Sequence, residues 1–356
     1  MILLAIVPFV LLLLIFQIIF SKQKTVFVSN NQPFVSVLLA VRNEENVLNN
    51  CLIALSKLNY PSVEILIGND NSTDETAQII NLFTSQFPHF IAVPIQEEKF
   101  GKGKANVLAQ LAQKAKGEYY FFTDADIVVN QDWIENLLAH FETDTGIVTG
   151  CTHTNGNSLF EKWQSLDWSF SQGIMYFFSR FYNPITAMGN NMAVSKKAYD
   201  SVGGYENIPF SLTEDFALFK EITNTDFTSK QCLTANEKVH TLPLSTFNSF
   251  LHQRKRWMKG AFSKLPIYVS ILVLFQNFYL AIVIYESLNH NYLALLFLLL
   301  KISLQSIYLK LIHYKVKEKL PIWACFTFEL YVFFTGICLV INYLLPSKVN
   351  WKGRIY

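Results

Sequence analysis

Residues 121–133 read FFTDADIVVNQDW, with Asp124 and Asp126 two positions apart at the end of an apolar run. A carboxylate is poorly solvated beside so much apolar surface, so each needs a partner. An Asp-x-Asp at a strand end sets oxygens where a hard divalent cation can sit and complete its shell with substrate phosphates. Such a cation acts as a Lewis acid on a leaving diphosphate. Paired aspartates are also common in turns and helix caps, so the surrounding elements have to decide between the two.

Those elements alternate. SVLLAV (36–41), VEILIG (63–68), FIAVPI (90–95) and EYYFFT (118–123) are apolar runs bounded by turn residues, the pattern of buried parallel strands. Between the first two, Val47, Leu48, Cys51, Leu52, Leu55 and Leu58 recur at helical spacing. Ser72 and Glu75 are spaced as a capping box for a second helix, and GKGK (101–104) opens a third. The alternation predicts a doubly wound α/β sheet, in which ligands bind outside the carboxyl ends of the strands. Arg42-Asn43-Glu44, Asn69-Asp70-Asn71 and Asp124-Ala125-Asp126 all follow strands, so the polar residues collect at one edge. Neither GxGxxG nor GxxxxGK[ST] is present, which leaves out the dinucleotide fingerprint and the P-loop.

The chain of 356 residues is 51% hydrophobic, with 31 Phe, the composition of a membrane protein. Residues 2–20 form an uncharged stretch of spanning length, read as an uncleaved anchor within segment 1–24. Lys22 and Lys24 follow it and place the next segment in the cytoplasm. The mixed, turn-rich segment 33–264 is the expected globular domain. Further spans are expected from Pro266, Asn291 and Pro321, within 265–346, followed by a basic and aromatic tail, 347–356. HYKVKEK (313–319) reads as a cytoplasmic loop; four full spans would leave the tail outside, against the charge rule, so the last segment, interrupted by Glu329, is expected to be re-entrant or interfacial. Five irregularly spaced Cys predict free thiols, and a net charge of +2 does not suggest a nucleic-acid partner.

Asp70, Asp124 and Asp126, followed by Thr213-Glu214-Asp215 and by Gln253-Arg254-Lys255-Arg256-Trp257, match in order the signatures of glycosyltransferase family 2, TED and Q-x-x-R-W included. From about Pro33 to Gly260 the chain resembles that family's domain, of GT-A (Rossmann-like) fold. One N-terminal and about three C-terminal membrane helices around it resemble the layout of ceramide glucosyltransferase, bacterial lipid glycosyltransferases and polysaccharide synthases. The terminal WKGRIY is similar to the tails of some lipid-glycosylating members.

The resemblance implies a nucleobase contact at Asp70, a nucleoside pocket lined by Ala40, Arg42 and Glu44, and nucleotide contacts at Lys104 and Asn106. It implies further that Asp124 meets the nucleotide sugar and that Asp126 holds Mg2+ or Mn2+. Asp215, with Glu214 beside it, is the implied general base, and Arg256, Gln253 and Trp257 shape the diphosphate and acceptor end. Physical chemistry supports these roles: an apolar frame of Leu212 and Phe216 would raise the Asp215 pKa. On a helix, positions 253, 256 and 257 fall within about 100° of one another, and Arg256 offers a planar fork to phosphate. In-line displacement would invert the anomeric carbon.

Competing readings stand beside these. Asp70 could simply start a turn, GKGK could be an exposed loop, and Asn190 and Asn191 could line the acceptor pocket or form a turn. Residues 247–262 are expected to form a basic interfacial helix, with Phe250, Leu251, Met258 and Phe262 on its apolar side and Lys255 and Lys259 on headgroups, that also presents Gln253, Arg256 and Trp257 to the pocket. WKGRIY could be an interface anchor, and His240 and His252 are expected to be structural. The expected function is transfer from a nucleotide sugar, a UDP-sugar, to a membrane lipid at the cytoplasmic face of the bacterial inner membrane. A processive polysaccharide synthase and an idle membrane scaffold are the alternatives.

Overall fold

The computed structural model describes residues 2–21, 32–181, 185–261, 267–345, 350–352 and 354–355. Lys22, Lys24 and Phe262 lie outside the described residues. In chain order the elements are α1 (Ile2–Phe20), β1 (Val35–Val41), α2 (Leu48–Ser56), β2 (Val63–Asn69), α3 (Thr76–Gln86), β3 (Phe90–Val93), α4 (Gly103–Lys114), β4 (Tyr119–Thr123), α5 (Trp133–Leu138), β5 (Thr145–Thr149) and β6 (Cys151–Thr154). There follow α6 (Leu159–Phe181), β7 (Asn191–Ser195), α7 (Lys196–Ser201), α8 (Gly204–Asn207), α9 (Glu214–Thr223), β8 (Thr228–Gln231), β9 (Lys238–Thr241), α10 (Phe247–Ala261), α11 (Ile267–Leu288), α12 (Leu293–Lys315), α13 (Ile322–Leu344), β10 (Asn350–Trp351) and β11 (Arg354–Ile355).

Two compact units result. One comprises Lys24–His153 and Ser179–Leu242, the other Met1–Gln23, Thr154–Phe178 and Pro243–Tyr356. The first is built on a seven-stranded sheet of order β3-β2-β1-β4-β7-β5-β8. Its four N-terminal strands are parallel, as their apolar runs predict, and β7 enters antiparallel between β4 and β5. Strand alternation divides the core. Val35, Val37, Leu39 and Val41 of β1 join Ile65, Ile67 and Phe121 on one face, while Leu38 joins Leu66, Tyr120, Phe122, Met192 and Val194 on the other. With both faces covered, these strands can be apolar throughout.

The capping-box expectation is corrected. Helix α3 starts at Thr76 with Glu75 at its N-cap and no side-chain cap. Ser72 is used elsewhere, donating to Asn69 Oδ1 at 2.6 Å and accepting from the Asn43 amide at 3.0 Å. The turns after β1 and β2 therefore interlock: Asn43 Oδ1 accepts from the Thr73 amide at 2.9 Å, and the Glu44 amide donates to the Thr76 hydroxyl at 2.8 Å. Both turns pass through a left-handed residue, Asn43 (φ 51°) and Asn71 (φ 52°), a conformation that asparagine tolerates.

The second unit is helical. Helices α1, α11, α12 and α13 are each long and apolar enough to cross a membrane. Helices α6 and α10 are joined to each other by Arg254–Asp167 at 2.6 Å and by an edge-to-face contact of Trp168 and Trp257 at 5.6 Å, and α6 meets α12 through Ser169–His313 at 3.1 Å. The five cysteines are free thiols, as expected.

Candidate active site

The sheet brings the ends of β1, β2 and β4 into register, Val41 opposite Asn69 and Leu39 opposite Thr123, so Arg42, Asp70 and Asp124 leave one edge together. The buried Asp70 extends the β1–β2 ladder by one bond, its amide donating to Val41 O at 2.8 Å. Arg42 donates to the Asp70 carbonyl. Glu44 and Ala40 stand on the same strand and turn, partly exposed.

The third loop supplies a cation. Gly101 (φ 100°) and Gly103 (φ 67°) take conformations that glycine adopts at little cost, turning the chain into α4. Lys104, in the first turn, is largely buried, with its ammonium 2.6 Å from Asp124 Oδ1 and 2.8 Å from Glu214 Oε1. Burial disfavours that ammonium, but Asp124 and Glu214, helped by Asp215, outweigh it and hold the pKa well above the lysine range. Asn106 sits on the same helix but faces inward. Its amide accepts from Phe100 N at 2.8 Å and donates to Gln96 O at 3.0 Å, so it shapes the loop ahead of Lys104.

Asp215 opens α9 beside Glu214. Its oxygens accept from Phe216 N at 2.8 Å and Gly189 N at 2.9 Å. A Cβ on Gly189 would lie 2.5 Å from Asp215 Cβ, so the approach requires glycine. Burial, then the Glu214 charge, pushes the Asp215 carboxyl up to about 6, against the lowering effects of Lys104 and the two amides.

Asp126 is oriented by a residue that belongs to no motif in the sequence: the Thr241 hydroxyl donates to its Oδ2 at 2.9 Å. The backbone between them is strapped, Val128 and His240 exchanging amide–carbonyl bonds at 2.8 and 3.0 Å. A lone threonine far along the chain carries no signal, and only the pairing of β9 with this segment brings it here. The two asparagines part company. Asn190 Oδ1 accepts from the Thr152 hydroxyl at 3.0 Å. Asn191 is fully buried, bonded to Trp133 Nε1, Cys151 O and Glu237 O at 2.8–2.9 Å, and holds the frame.

Gln253, Arg256 and Trp257 lie on α10 in the helical unit, all partly buried. Trp257 packs on Trp168 and stacks with Arg254, 4.3 Å from ring centre to guanidinium. Lys255 does not face headgroups: it is 2% exposed and donates to Asn342 O at 2.6 Å and Leu345 O at 3.1 Å. The unsatisfied last-turn carbonyls of α13 are a better partner for a buried ammonium than a distant anion.

A family model described as Glycosyl transferase family 21 matches residues 1–356. The chain belongs to glycosyl transferase family 21. The expected likeness to family 2 thus stands at the level of the GT-A fold. Over 242 residues this family 21 chain is 25% identical to the beta-monoglucosyldiacylglycerol synthase of Synechocystis sp., covering 65% of the chain and 48% of that protein. Over 230 residues it is 28% identical to the poly-beta-1,6-N-acetyl-D-glucosamine synthase of Staphylococcus epidermidis, covering 64% and 54%. The family 21 chain spans about half the length of the curated relatives it matches. The fold is similar to that of a mannosyltransferase from Pyrobaculum calidifontis solved with GDP-Man and Mn2+, with a TM-score of 0.61, 16% identity and 94% of each chain covered.

Proposed function

We propose that the chain transfers a sugar, with inversion, from a nucleotide sugar to the hydroxyl of a membrane lipid at the cytoplasmic face of the bacterial inner membrane. A UDP-sugar is the donor we favour. The observation that carries this reading is the Lys104 bridge, by which one ammonium joins the Asp-Ala-Asp strand end to the Thr-Glu-Asp helix start. Donor-side and acceptor-side carboxylates are thereby held around one point.

In this mechanism Asp70, Arg42, Glu44 and Ala40 receive the nucleoside, and Asp124 meets the sugar-diphosphate. Asp126, a hard oxygen donor already oriented by a hydroxyl, fits Mg2+ or Mn2+. A bound divalent ion would supply charge stabilisation at the leaving diphosphate. The acceptor oxygen bonds to the anomeric carbon while the bond from that carbon to the diphosphate oxygen breaks. Asp215 takes the hydroxyl proton, and the electron pair leaves on the diphosphate. A carboxyl raised to about 6 remains mostly ionised at neutral pH and is a better base than an ordinary aspartate. Lys104 is the cation that this unit assigns to the developing phosphate charge, with Asn190 toward the acceptor, and Arg256, Gln253 and Trp257 of α10 keep the diphosphate and acceptor roles that the resemblance implies for them.

The likeness to a polysaccharide synthase supports a second reading, repeated transfer to a growing chain. Purified protein given a panel of nucleotide sugars and a membrane lipid extract should release nucleoside diphosphate and yield a glycolipid heavier by one sugar. A ladder of products would favour polymerisation, and no release with any donor would favour an idle scaffold.

A further inference from the structure

Among the described residues the helical unit contains four helices long and apolar enough to cross a membrane, yet the contacts of α13 do not progress across one. Lys301, fourteen residues before the end of α12, lies about 21 Å along the helix from Lys315, and it pairs with Glu329 of α13. Seven residues and about 10 Å further along α13, the backbone at Gly336 abuts Asn277, where a Cβ would lie 2.7 Å from Oδ1. Asn277 is ten residues into α11, about 15 Å from Ile267. Both distances run from the same face, because the start of α11 and the end of α12 share it. A crossing helix would have gone deeper by the full 10 Å; α13 has not gone deeper at all.

The ends of α13 agree. Near its start, the Trp163 indole of α6 donates to Thr327 at 3.1 Å and Lys162 lies over Trp323 at 4.8 Å. Tyr331 donates to Asp167, which also holds Arg254 of α10. At its far end, Lys255 of α10 takes the Asn342 and Leu345 carbonyls, and Asn342 donates to Leu251 O at 3.3 Å. Helix α10 ends at Ala261 and α11 begins at Ile267, so α10 lies on the face where α11 enters. A spanning helix would carry its last turn about 30 Å away, beyond the reach of a lysine.

We propose that α13 is a membrane-embedded helix that does not cross. It starts and ends on the side of α6 and α10 and goes no deeper than the level of Lys301, the chain crosses through α1, α11 and α12, and residues 350–352 and 354–355 lie on the face of the 313–319 loop. The exposed residues Ile322, Phe326, Leu330, Phe334, Ile341 and Leu345 recur at helical spacing and form the stripe turned to acyl chains. Charge is consistent with this course. Lys315, Lys317 and Lys319 of the loop and Lys352 and Arg354 after α13 then share one side, as the positive-inside rule requires.

Reporter fusions to the full chain in a bacterial host test the proposal. Green fluorescent protein folds on the cytoplasmic side, and alkaline phosphatase is active only outside. Fused after Tyr356, or inserted after Lys317, the fluorescent reporter should be bright and the phosphatase silent, with a ratio at least tenfold above that of the same pair inserted after Asn289. In inside-out vesicles an impermeant maleimide should label Lys352→Cys above the parent protein, and in right-side-out vesicles it should not. An active phosphatase after Tyr356 with a silent one after Lys317 would show that α13 crosses. Equal readings at Lys317 and Asn289 would overturn the paired crossing of α11 and α12 on which the depth comparison rests.

Discussion

The Lys104 ammonium lies 2.8 Å from the Glu214 carboxylate, joining the first turn of α4 to the first turn of α9 across 110 residues of chain. Because the same ammonium meets Asp124, it also sets the charge felt by Asp215. Lys104→Met should lower turnover by at least about 10²-fold, the scale of losing a placed electrostatic donor. It should also move the acidic limb of the pH–rate profile upward, since Lys104 lowers the Asp215 pKa. Initial rates across pH 5–9 measure both, and an unmoved limb would detach Lys104 from the base.

The proposed base has a signed pH dependence. With its carboxyl at about 6, Asp215 gains protons as pH falls, so the rate should fall through pH 6. At one pH unit below the pKa it should stand roughly tenfold under its plateau. Asp215→Asn should be slower by about 10²-fold or more and lose that limb, while nucleotide affinity by calorimetry stays near wild type. Loss of affinity with little loss of rate would give Asp215 a different role.

Thr241 is a positioning residue for Asp126. Asp126→Asn or excess EDTA should abolish turnover. Thr241→Val should raise the metal concentration needed for half-maximal rate by about 10–100-fold, the usual cost of losing a hydrogen bond to a ligand, without changing the plateau at saturating metal. Metal titrations of activity, with nucleotide-dependent Mn2+ binding as a second readout, separate this from misfolding. An unchanged titration curve would be evidence against Asp126 as ligand.

Gly189→Ala tests the tight approach. A methyl 2.5 Å from Asp215 Cβ must displace one of the two, so kcat should fall by about 10²-fold, the effect of a displacement near 1 Å. KM for the nucleotide sugar should be little changed. A wild-type kcat would mean that the two segments yield freely.

Lys301 and Glu329 should behave as a buried pair. Removing one partner, as in Lys301→Met, should destabilise the protein by about 3–5 kcal/mol, whereas joining it with Glu329→Leu should recover most of the loss. Thermal unfolding in detergent for the full double-mutant cycle gives the coupling directly, and additive losses would mean that the two side chains act independently.

Much of this architecture was legible before any coordinates. Buried parallel strands read as apolar runs, so β1 to β4 and the polar residues at their ends stood out. Strand β7 did not, because NMAVS is short and acquires its place only by pairing with β4. Within the candidate site, Asp124 and Asp126 stand out by their place at a strand end, while Lys104 and Asp215 are singled out only through the family resemblance, which gives Lys104 a nucleotide contact and not the two carboxylates it meets. Thr241 and Gly189 were missed because a lone hydroxyl and a close backbone approach have no local signature. Lys255 misled for the opposite reason. A basic residue on an amphipathic helix looks the same whether it meets lipid or caps another helix, and only the neighbour decides.

The interlocked turns after β1 and β2 bear on how donor preference could be re-engineered. Asn43, Glu44 and Glu45 exchange bonds with Ser72, Thr73, Asp74, Glu75 and Thr76, so neither loop has a shape of its own to transplant. Swapping either segment alone from a relative would break partners in the other. A functional graft would have to carry 42–45 and 69–76 as one cassette, and natural variation in this region should be inherited in the same paired blocks.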